Sequence, residues 1–356
     1  MTPSIHTAAV ISKSGNLELK KVEVPKAGEG EVLVKVVVAA LNPTDWKSAK
    51  GKLGQSKPGA VSGCDFAGIV EELGPGTEAS GLKVGERVAA FACGGGYDSG
   101  RPVNGSFAEY TVATAHFCIP LPDSWTFEQG AQIGVAIYTA CQTLYQSLGL
   151  PAPFSEGTPT SLPLLVYGAS SAVGLYVLQI AKATGFQIFA VCSPKNYDLV
   201  KSLGADSTYD YRDPEVSQRI KDASGGKIQF AVDAISEHDS ARIIVGALSS
   251  DGGKIATVLP YNEEAKNALG PNLTQELSVA YDLIVDRPGA PSRLSDAPKY
   301  CKLAARLLAE DKIKPMPTRV WEKGLEGINE AMQYMIDGKV SGEKIVFCIA
   351  DTPGLA

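Results

Sequence analysis

The chain has 356 residues, more than a single domain core usually uses, and a two-domain protein is expected. Its apolar fraction of 44% and charged fraction of 20% are those of an ordinary globular protein. A net charge of −6 argues against a nucleic-acid partner, because binding phosphates along a strand needs a basic face. The longest apolar run, "VLVKVVVAAL", is broken by Lys35 and is too short to span a bilayer.

No charged n-region followed by an apolar stretch opens the sequence, so a cytoplasmic location is expected. The seven cysteines are odd in number, scattered, and without a C-x-x-C pair, which reads as reduced thiols and not as a disulfide framework.

Residues 1 to about 125 read as β-rich. "EVLVKVVVAAL", "FAGIVEELG", "ERVAAF" and "SFAEYTVA" are strand-like runs separated by Gly, Pro and Asp turns, a pattern of barrel-like or sandwich-like units. From residue 126, "TFEQGAQIGVAIYTACQTLYQSL" carries apolar residues at helical spacing and predicts one long helix. "PAPFSEGTPTSLP" reads as a surface loop.

Strands and helices then alternate. "PLLVYGAS", "FQIFAVCS", "IQFAVDAI" and "GGKIATVLP" are strands, and "AVGLYVLQIAKATG" and "KNYDLVKSLGA" are helices ending at glycine. This alternation predicts a parallel, doubly wound sheet. Two further helices, in "APKYCKLAARLLAED" and around "GLEGINEAMQYMIDG", and a strand, "EKIVFCIA", close the chain.

The most informative stretch is "LLVYGASSAVGLYVLQIAKATG", in which a buried strand meets a turn of small residues and a helix follows at once. That is the context a dinucleotide fingerprint requires. The helix N-terminus offers N–H groups and a partial positive charge to a pyrophosphate. Against G-x-G-x-x-G the turn reads Ala169-Ser170-Ser171-Ala172-Val173-Gly174, so only the third glycine remains and Ser170 and Ser171 bring hydroxyls. About 20 residues on, a site for NAD would place an acid on the ribose 2′-hydroxyl. Here "VCSPKNYDL" has no acid at the strand end, while Ser193, Lys195 and Asn196 offer a cation and donors that suit a 2′-phosphate. The expected cofactor is therefore NADPH, with Tyr211 of "YDYRDPE" closing the adenosine pocket.

"GCDFAGIVEELG", "KVGERVAAF", "GSFAEYTV", "VYGASSAVG" and "LGAD" together resemble the medium-chain dehydrogenases/reductases over nearly the whole chain. More narrowly, "NPTDWK", "SPKNYDL", "DYR" and "GKVSGEKIV" resemble fungal trans-acting enoyl reductases of the lovastatin enoyl reductase type, which serve polyketide synthases lacking a working reductase domain.

The resemblance implies an α/β fold: a GroES-like β-rich catalytic domain from residues 1–127 and 298–356, and a doubly wound Rossmann domain with a parallel sheet from 128–297. It implies reduction of an activated C=C bond in a small-molecule or carrier-tethered enoyl substrate, with a polyketide synthase as partner. A monomer is favoured over the dimer that many family members form. A stand-alone zinc-free reductase of quinones, enones or alkenals, a non-catalytic protein that keeps the fold, and a redox-neutral or cyclising member are the alternatives.

Zinc members of the family use a Cys, a His-Glu pair and a further Cys or Asp. Here the first position falls in "LNPTD" and the pair is Cys64-Asp65, so no metal is expected. Cys64 reads as a small buried residue, since an adjacent acid opposes a reactive thiolate.

By resemblance, Thr44, Asp45 and Lys47 lie beside the nicotinamide, with Lys47 either near the reacting groups or holding the cofactor's ribose or phosphate. Thr139 either reaches the nicotinamide or substrate carbonyl, or is a helix-interior threonine bonded to its own backbone. Val258 and Leu259, with Val340 and Ser341, flank the nicotinamide or simply pack. No residue stands out as proton donor.

Overall fold

A computed structural model describes residues 2–53, 57–96, 104–155, 161–286 and 289–355. The chain divides into two compact units. Unit 1 comprises Met1–Val135, Tyr281–Ala309 and Pro315–Ala356; unit 2 comprises Ala136–Ala280 and Glu310–Lys314. Segments 128–135 and 281–297, expected with the nucleotide-binding half, group with unit 1. Parts of "FACGGGYDSGRPVNGS" and of the loop "PAPFSEGTPTSLP" lie outside the described residues.

Unit 1 begins with an antiparallel hairpin of β1 (Ile5–Ile11) and β2 (Leu17–Glu23), which the strand reading had not picked out. β3 (Glu31–Ala40) follows, its apolar run buried on both faces with Lys35 exposed. Next comes α1 (Pro43–Ala49). "NPTD" starts it as helix-start chemistry requires: Pro43 takes a first-turn position that needs no N–H partner, and the Asp45 carboxylate reaches back to the Asn42 N–H at 2.7 Å.

β4 (Asp65–Leu73), β5 (Arg87–Phe91), β6 (Tyr110–Thr114) and β7 (Ile119–Pro120) complete the first stretch. The long helix expected over 126–148 is instead three pieces: α2 (Phe127–Gly130), α3 (Gly134–Cys141) and a π-helical turn, Gln142–Ser147. The break has a physical cause. Asp65 on β4 accepts the Val135 N–H at 2.6 Å, and a side chain at Gly134 would overlap that carboxylate, so α3 starts against Asp65.

Unit 2 is built from β8 (Pro163–Tyr167), α4 (Ala172–Thr184), β9 (Gln187–Val191), α5 (Tyr197–Ser202), β10 (Ser207–Tyr209), α6 (Val216–Ala223), β11 (Phe230–Asp233), α7 (Ser240–Ala247), β12 (Gly253–Thr257), α8 (Glu263–Ala268) and β13 (Leu273–Leu277). Its six strands pair in parallel in the order β10-β9-β8-β11-β12-β13, the predicted doubly wound sheet. The inner strands read as continuous apolar runs because helices cover both faces. Leu165, Val191, Ile220, Ala231 and Ile255 are central to the core of this unit.

The chain returns to unit 1 with α9 (Ala297–Ala309), β14 (Thr318–Val320), α10 (Ile328–Ile336) and β15 (Lys344–Cys348). The large sheet there runs β14-β15-β3-β4-β5-β7, with β6 also on β3; β14 and β15 are parallel and the other pairs antiparallel. Phe66, Phe107 and Phe347 fill its core.

Candidate functional site

In unit 2 the parallel strands bring the predicted cofactor residues to one edge of the sheet. Ser170–Val173 follow β8, Ser193–Asn196 follow β9, Tyr211 follows β10, and Val258–Leu259 follow β12, all at carboxyl ends of adjacent or near-adjacent strands. In open α/β sheets this edge is where nucleotides bind.

The turn is built for close approach. Gly168 has φ +71°, where a side chain would also meet Ile235. A Cβ at Gly174 would overlap the Gly168 carbonyl and the Ala169 backbone, so the surviving third glycine lets α4 sit down on the strand. Ser171 caps α4: its Oγ accepts the Gly174 N–H at 3.0 Å. That capping role is additional to the ligand contact expected of it. The first-turn N–H groups of Ala172 and Val173 are ones an α-helix leaves without intrahelical partners, and they face an anion naturally.

At the end of β9, Lys195 is exposed and Asn196 buried, 7% accessible. The nearest strand-end acid, Asp210 after β10, is tied to Arg212 through both carboxylate oxygens, at 3.0 and 3.2 Å from Nε. That pairing holds Asp210 below the usual carboxylate range. Tyr211 is 43% exposed, and the Arg212 guanidinium lies 5.5 Å from its ring. The region therefore offers the exposed Lys195 ammonium and an acid neutralised by Arg212, which suits a phosphate.

Two groups on this edge escaped the sequence reading. Asp233, at the end of β11, accepts N–H bonds from Ile235 and Ser236 and the Tyr261 hydroxyl at 2.8 Å. Burial pushes its pKa up. Ser236 Oγ accepts the Val258 N–H at 3.0 Å, so this cluster sets the backbone at Val258, which is half-buried. An acid ending an apolar strand in "FAVDAI" was the available signal; nothing local marks Tyr261. Thr139 lies on α3 and is 5% exposed.

In unit 1 the structure gathers a second set. Thr44, Asp45 and Lys47 share α1, but they face different surroundings. Lys47 is half-buried with its ammonium 5.7 Å from the Trp46 ring centroid. Asp45 is only 2% exposed, so its carboxylate is turned inward to its helix cap and not outward to a cofactor.

Thr44 is half-buried, and its hydroxyl lies 3.2 Å from the Tyr281 hydroxyl. Tyr281 in turn lies 2.9 Å from the Cys64 thiol. Val340 packs on the core of unit 1, and Ser341 is half-buried in the loop before β15.

Cys64 is buried, and burial first, then the Asp45 charge, push its thiol well above the ordinary value. A thiol held that way is no nucleophile. Burial, opposed by the Asn42 N–H and the thiol, raises Asp45 to about 7.

Asp65 makes a different bond set. Its Oδ2 pairs with Lys344 Nζ at 2.9 Å, both side chains being at most 3% exposed, and Lys344 also donates to Asn42 Oδ1 at 2.6 Å. Asn42 and Asp65, at positions matched to the zinc pattern, are thus both bound to the Lys344 ammonium. Among the described residues no group of three or more His, Cys, Asp or Glu could hold a metal ion. Tyr281 and Lys344 were missed because nothing in their local sequence separates them from packing residues.

Two family models match the chain: the alcohol dehydrogenase GroES-like domain over residues 28–123 and the zinc-binding dehydrogenase domain over 172–281. The chain is 36% identical to a trans-enoyl reductase of Alternaria alternata, ACTTS2, over 96% of its own length and 98% of that protein's. It is 38% identical to the trans-enoyl reductase resD of Aspergillus sclerotiorum, over 91% and 94%. An alcohol dehydrogenase superfamily protein from Novosphingobium aromaticivorans has the same fold, with a TM-score of 0.82 at 21% identity over 96% of this chain and 99% of that one. Fold and matched domains define a medium-chain, alcohol-dehydrogenase-type oxidoreductase with a nicotinamide site, and within that class the chain belongs to the trans-enoyl reductases.

Proposed function

We propose that this protein uses NADPH to reduce the C=C bond of an α,β-unsaturated polyketide thioester, acting in trans on a polyketide synthase in fungal secondary metabolism. Near-full-length similarity to proteins named trans-enoyl reductases carries the reaction class. The choice of NADPH rests on the β9 end, where Lys195 is exposed, no acid follows the strand, and Asp210 is neutralised by Arg212. A cytoplasmic monomer acting on a small-molecule or carrier-tethered substrate completes the reading. Among the described residues no helix is long and apolar enough to cross a membrane, and none of the seven cysteines forms a disulfide.

When bound, the cofactor supplies a hydride to the substrate's β-carbon. The chain's residues do the rest. The Ser170–Val173 turn holds the pyrophosphate, with Ser171 capping the helix behind it. Ser193, Lys195 and Asn196 hold the 2′-phosphate, and Tyr211 covers the adenosine. Val258 and Leu259 flank the nicotinamide ring. Thr44 and Lys47 orient the acceptor and place donors toward the carbonyl oxygen, where negative charge grows as the enolate forms. The α-carbon then takes a proton.

The test follows NADPH oxidation with crotonyl thioester, a longer 2-enoyl thioester and a simple quinone. Thioester turnover without quinone turnover is the expected result, and quinone turnover alone would make the protein a stand-alone quinone reductase. In Lys195→Ala, losing one charge-assisted contact raises the KM for NADPH by ~10- to 100-fold, with kcat and the KM for NADH little changed. An unchanged KM for NADPH would remove the 2′-phosphate assignment.

A further inference from the structure

At the carboxyl edge of the unit 2 sheet, β11 and β12 are neighbours, and the segment after β12 is fastened back to the end of β11 at two points. The Val258 N–H donates to Ser236 Oγ at 3.0 Å, and Tyr261 Oη donates to Asp233 Oδ2 at 2.8 Å. Between the two points lie Leu259 and Pro260, whose ring fixes its own φ. On the β13 side the Ser278 N–H donates to the Thr257 carbonyl at 2.8 Å. Asp233 is fully buried and Tyr261 is 4% exposed, whereas Val258 and Leu259 are half-buried. The fastenings are sealed, and the side chains they hold reach the surface of the edge.

The chemistry of the groups fixes every direction in this brace. Asp233 Oδ1 accepts the Ile235 and Ser236 N–H groups at 3.1 and 2.7 Å, and Oδ2 accepts the Tyr261 hydroxyl. Ser236 Oγ spends its proton on the Asp233 carbonyl at 3.0 Å, so it meets the Val258 N–H as an acceptor. Ser236 stands at φ +58°, a left-handed conformation that persists in a non-glycine residue only where the surroundings over-determine it. Asp233 does so by binding Ser236 through both its N–H and its hydroxyl. The Ile235 side chain lies against Gly168 of the nucleotide turn. One buried aspartate therefore ties the loop that packs on the turn after β8 to the segment after β12.

We propose that Asp233, Ser236 and Tyr261 are positioning residues that hold the Val258–Leu259 wall in place against the nicotinamide ring of the cofactor. Their role rests on the nicotinamide placement proposed above; the brace itself does not. A wall fastened before the ring arrives needs no ordering on binding, and the spared cost appears as affinity for the ring end of the cofactor. The phosphates are assigned to other residues, Ser170–Val173 and Ser193–Asn196, so the two ends of the cofactor can be read apart.

Calorimetric titration of the intact protein with NADPH and with 2′-phospho-ADP-ribose, which lacks the nicotinamide, tests the brace. Ser236→Ala removes the acceptor of the Val258 N–H and keeps the N–H bond to Asp233. Tyr261→Phe keeps the ring in the core and removes only its hydroxyl. Each is expected to raise the Kd for NADPH about 5-fold, the scale of one hydrogen bond, and to leave the Kd for the fragment unchanged. Asp233→Asn, whose amide can donate to Tyr261 Oη, should bind NADPH as the wild type does. Lys195→Ala should weaken both ligands alike. If Ser236→Ala and Tyr261→Phe weaken both ligands equally, or neither, the positioning role is overturned. A wild type that binds NADPH no more tightly than the fragment overturns it as well.

A spectroscopic arm reads the same wall. The reduced nicotinamide fluoresces, and its anisotropy in the bound state should fall in Ser236→Ala and Tyr261→Phe as the ring gains freedom. The kinetic arm measures kcat with an enoyl thioester at saturating NADPH. Ser236→Ala should lose about 10-fold, because misplacing the ring misplaces the hydride. An unchanged kcat severs the brace from hydride transfer. A wild type that binds NADPH but turns over no enoyl thioester refutes the functional reading instead, and the binding comparison then still decides the brace.

Discussion

Asp45 shows how one residue serves local structure and electrostatics at once. Its carboxylate caps α1 through the Asn42 N–H, yet the cap sits in the interior, where an ion is poorly solvated. Raised from 3.8 to about 7, it favours folding below pH 3.8, where it is protonated in both states, and loses that contribution as pH rises through 7. A shift of this size is worth on the order of 4 kcal/mol. Asp45→Asn keeps an oxygen for the Asn42 N–H and carries no charge. It is expected to raise Tm at pH 8 relative to wild type and to change it little at pH 4. Thermal scans at the two pH values check this, and equal shifts at both would show that ionisation is not the cause.

At the scale of the element, the Lys344–Asp65 pair joins strands far apart in sequence. Asp65 opens β4, Lys344 opens β15, Asn42 follows β3, and the Val135 N–H at the start of α3 completes the carboxylate's partners. A buried pair contributes little over a hydrophobic substitute, but removing one partner leaves the other charged and unpaired. Lys344→Met is therefore expected to cost about 3–5 kcal/mol. Chemical denaturation reads that loss directly, and Lys344→Met with Asp65→Leu should recover part of it. The same carboxylate explains why the expected long helix over 126–148 is broken. The apolar spacing was correctly helical, but spacing carries no information about an acid arriving from β4.

For the whole molecule, a cofactor that binds only the native state stabilises it by mass action. NADPH at about 100 times its dissociation constant should add roughly 2.7 kcal/mol. NADH at the same concentration should add much less, because it lacks the phosphate that Lys195 and Asn196 are proposed to hold. Thermal shift measurements with each nucleotide make the comparison, and equal shifts would speak against selection for the 2′-phosphate.

The β-rich start, the strand-helix alternation, the parallel sheet and the nucleotide turn were all legible in order along the chain. Their signals are local: apolar periodicity, a turn of small residues between a strand and a helix, the surviving third glycine, and the lack of an acid after β9. The same holds for the departure from the zinc pattern at Cys64-Asp65. Tertiary structure alone decided that Asp45 turns inward, that Tyr281 bridges Thr44 and Cys64, that Lys344 neutralises Asp65, and that Tyr261 braces Asp233. Those groups are separated by up to 302 residues in sequence, as in the Lys344–Asn42 bond, and a hydrogen bond between side chains leaves no periodic trace in either segment. Local chemistry determined the elements and the cofactor turn; the charges and directions of the buried groups follow from which side chains the packed sheets bring within 3 Å of each other.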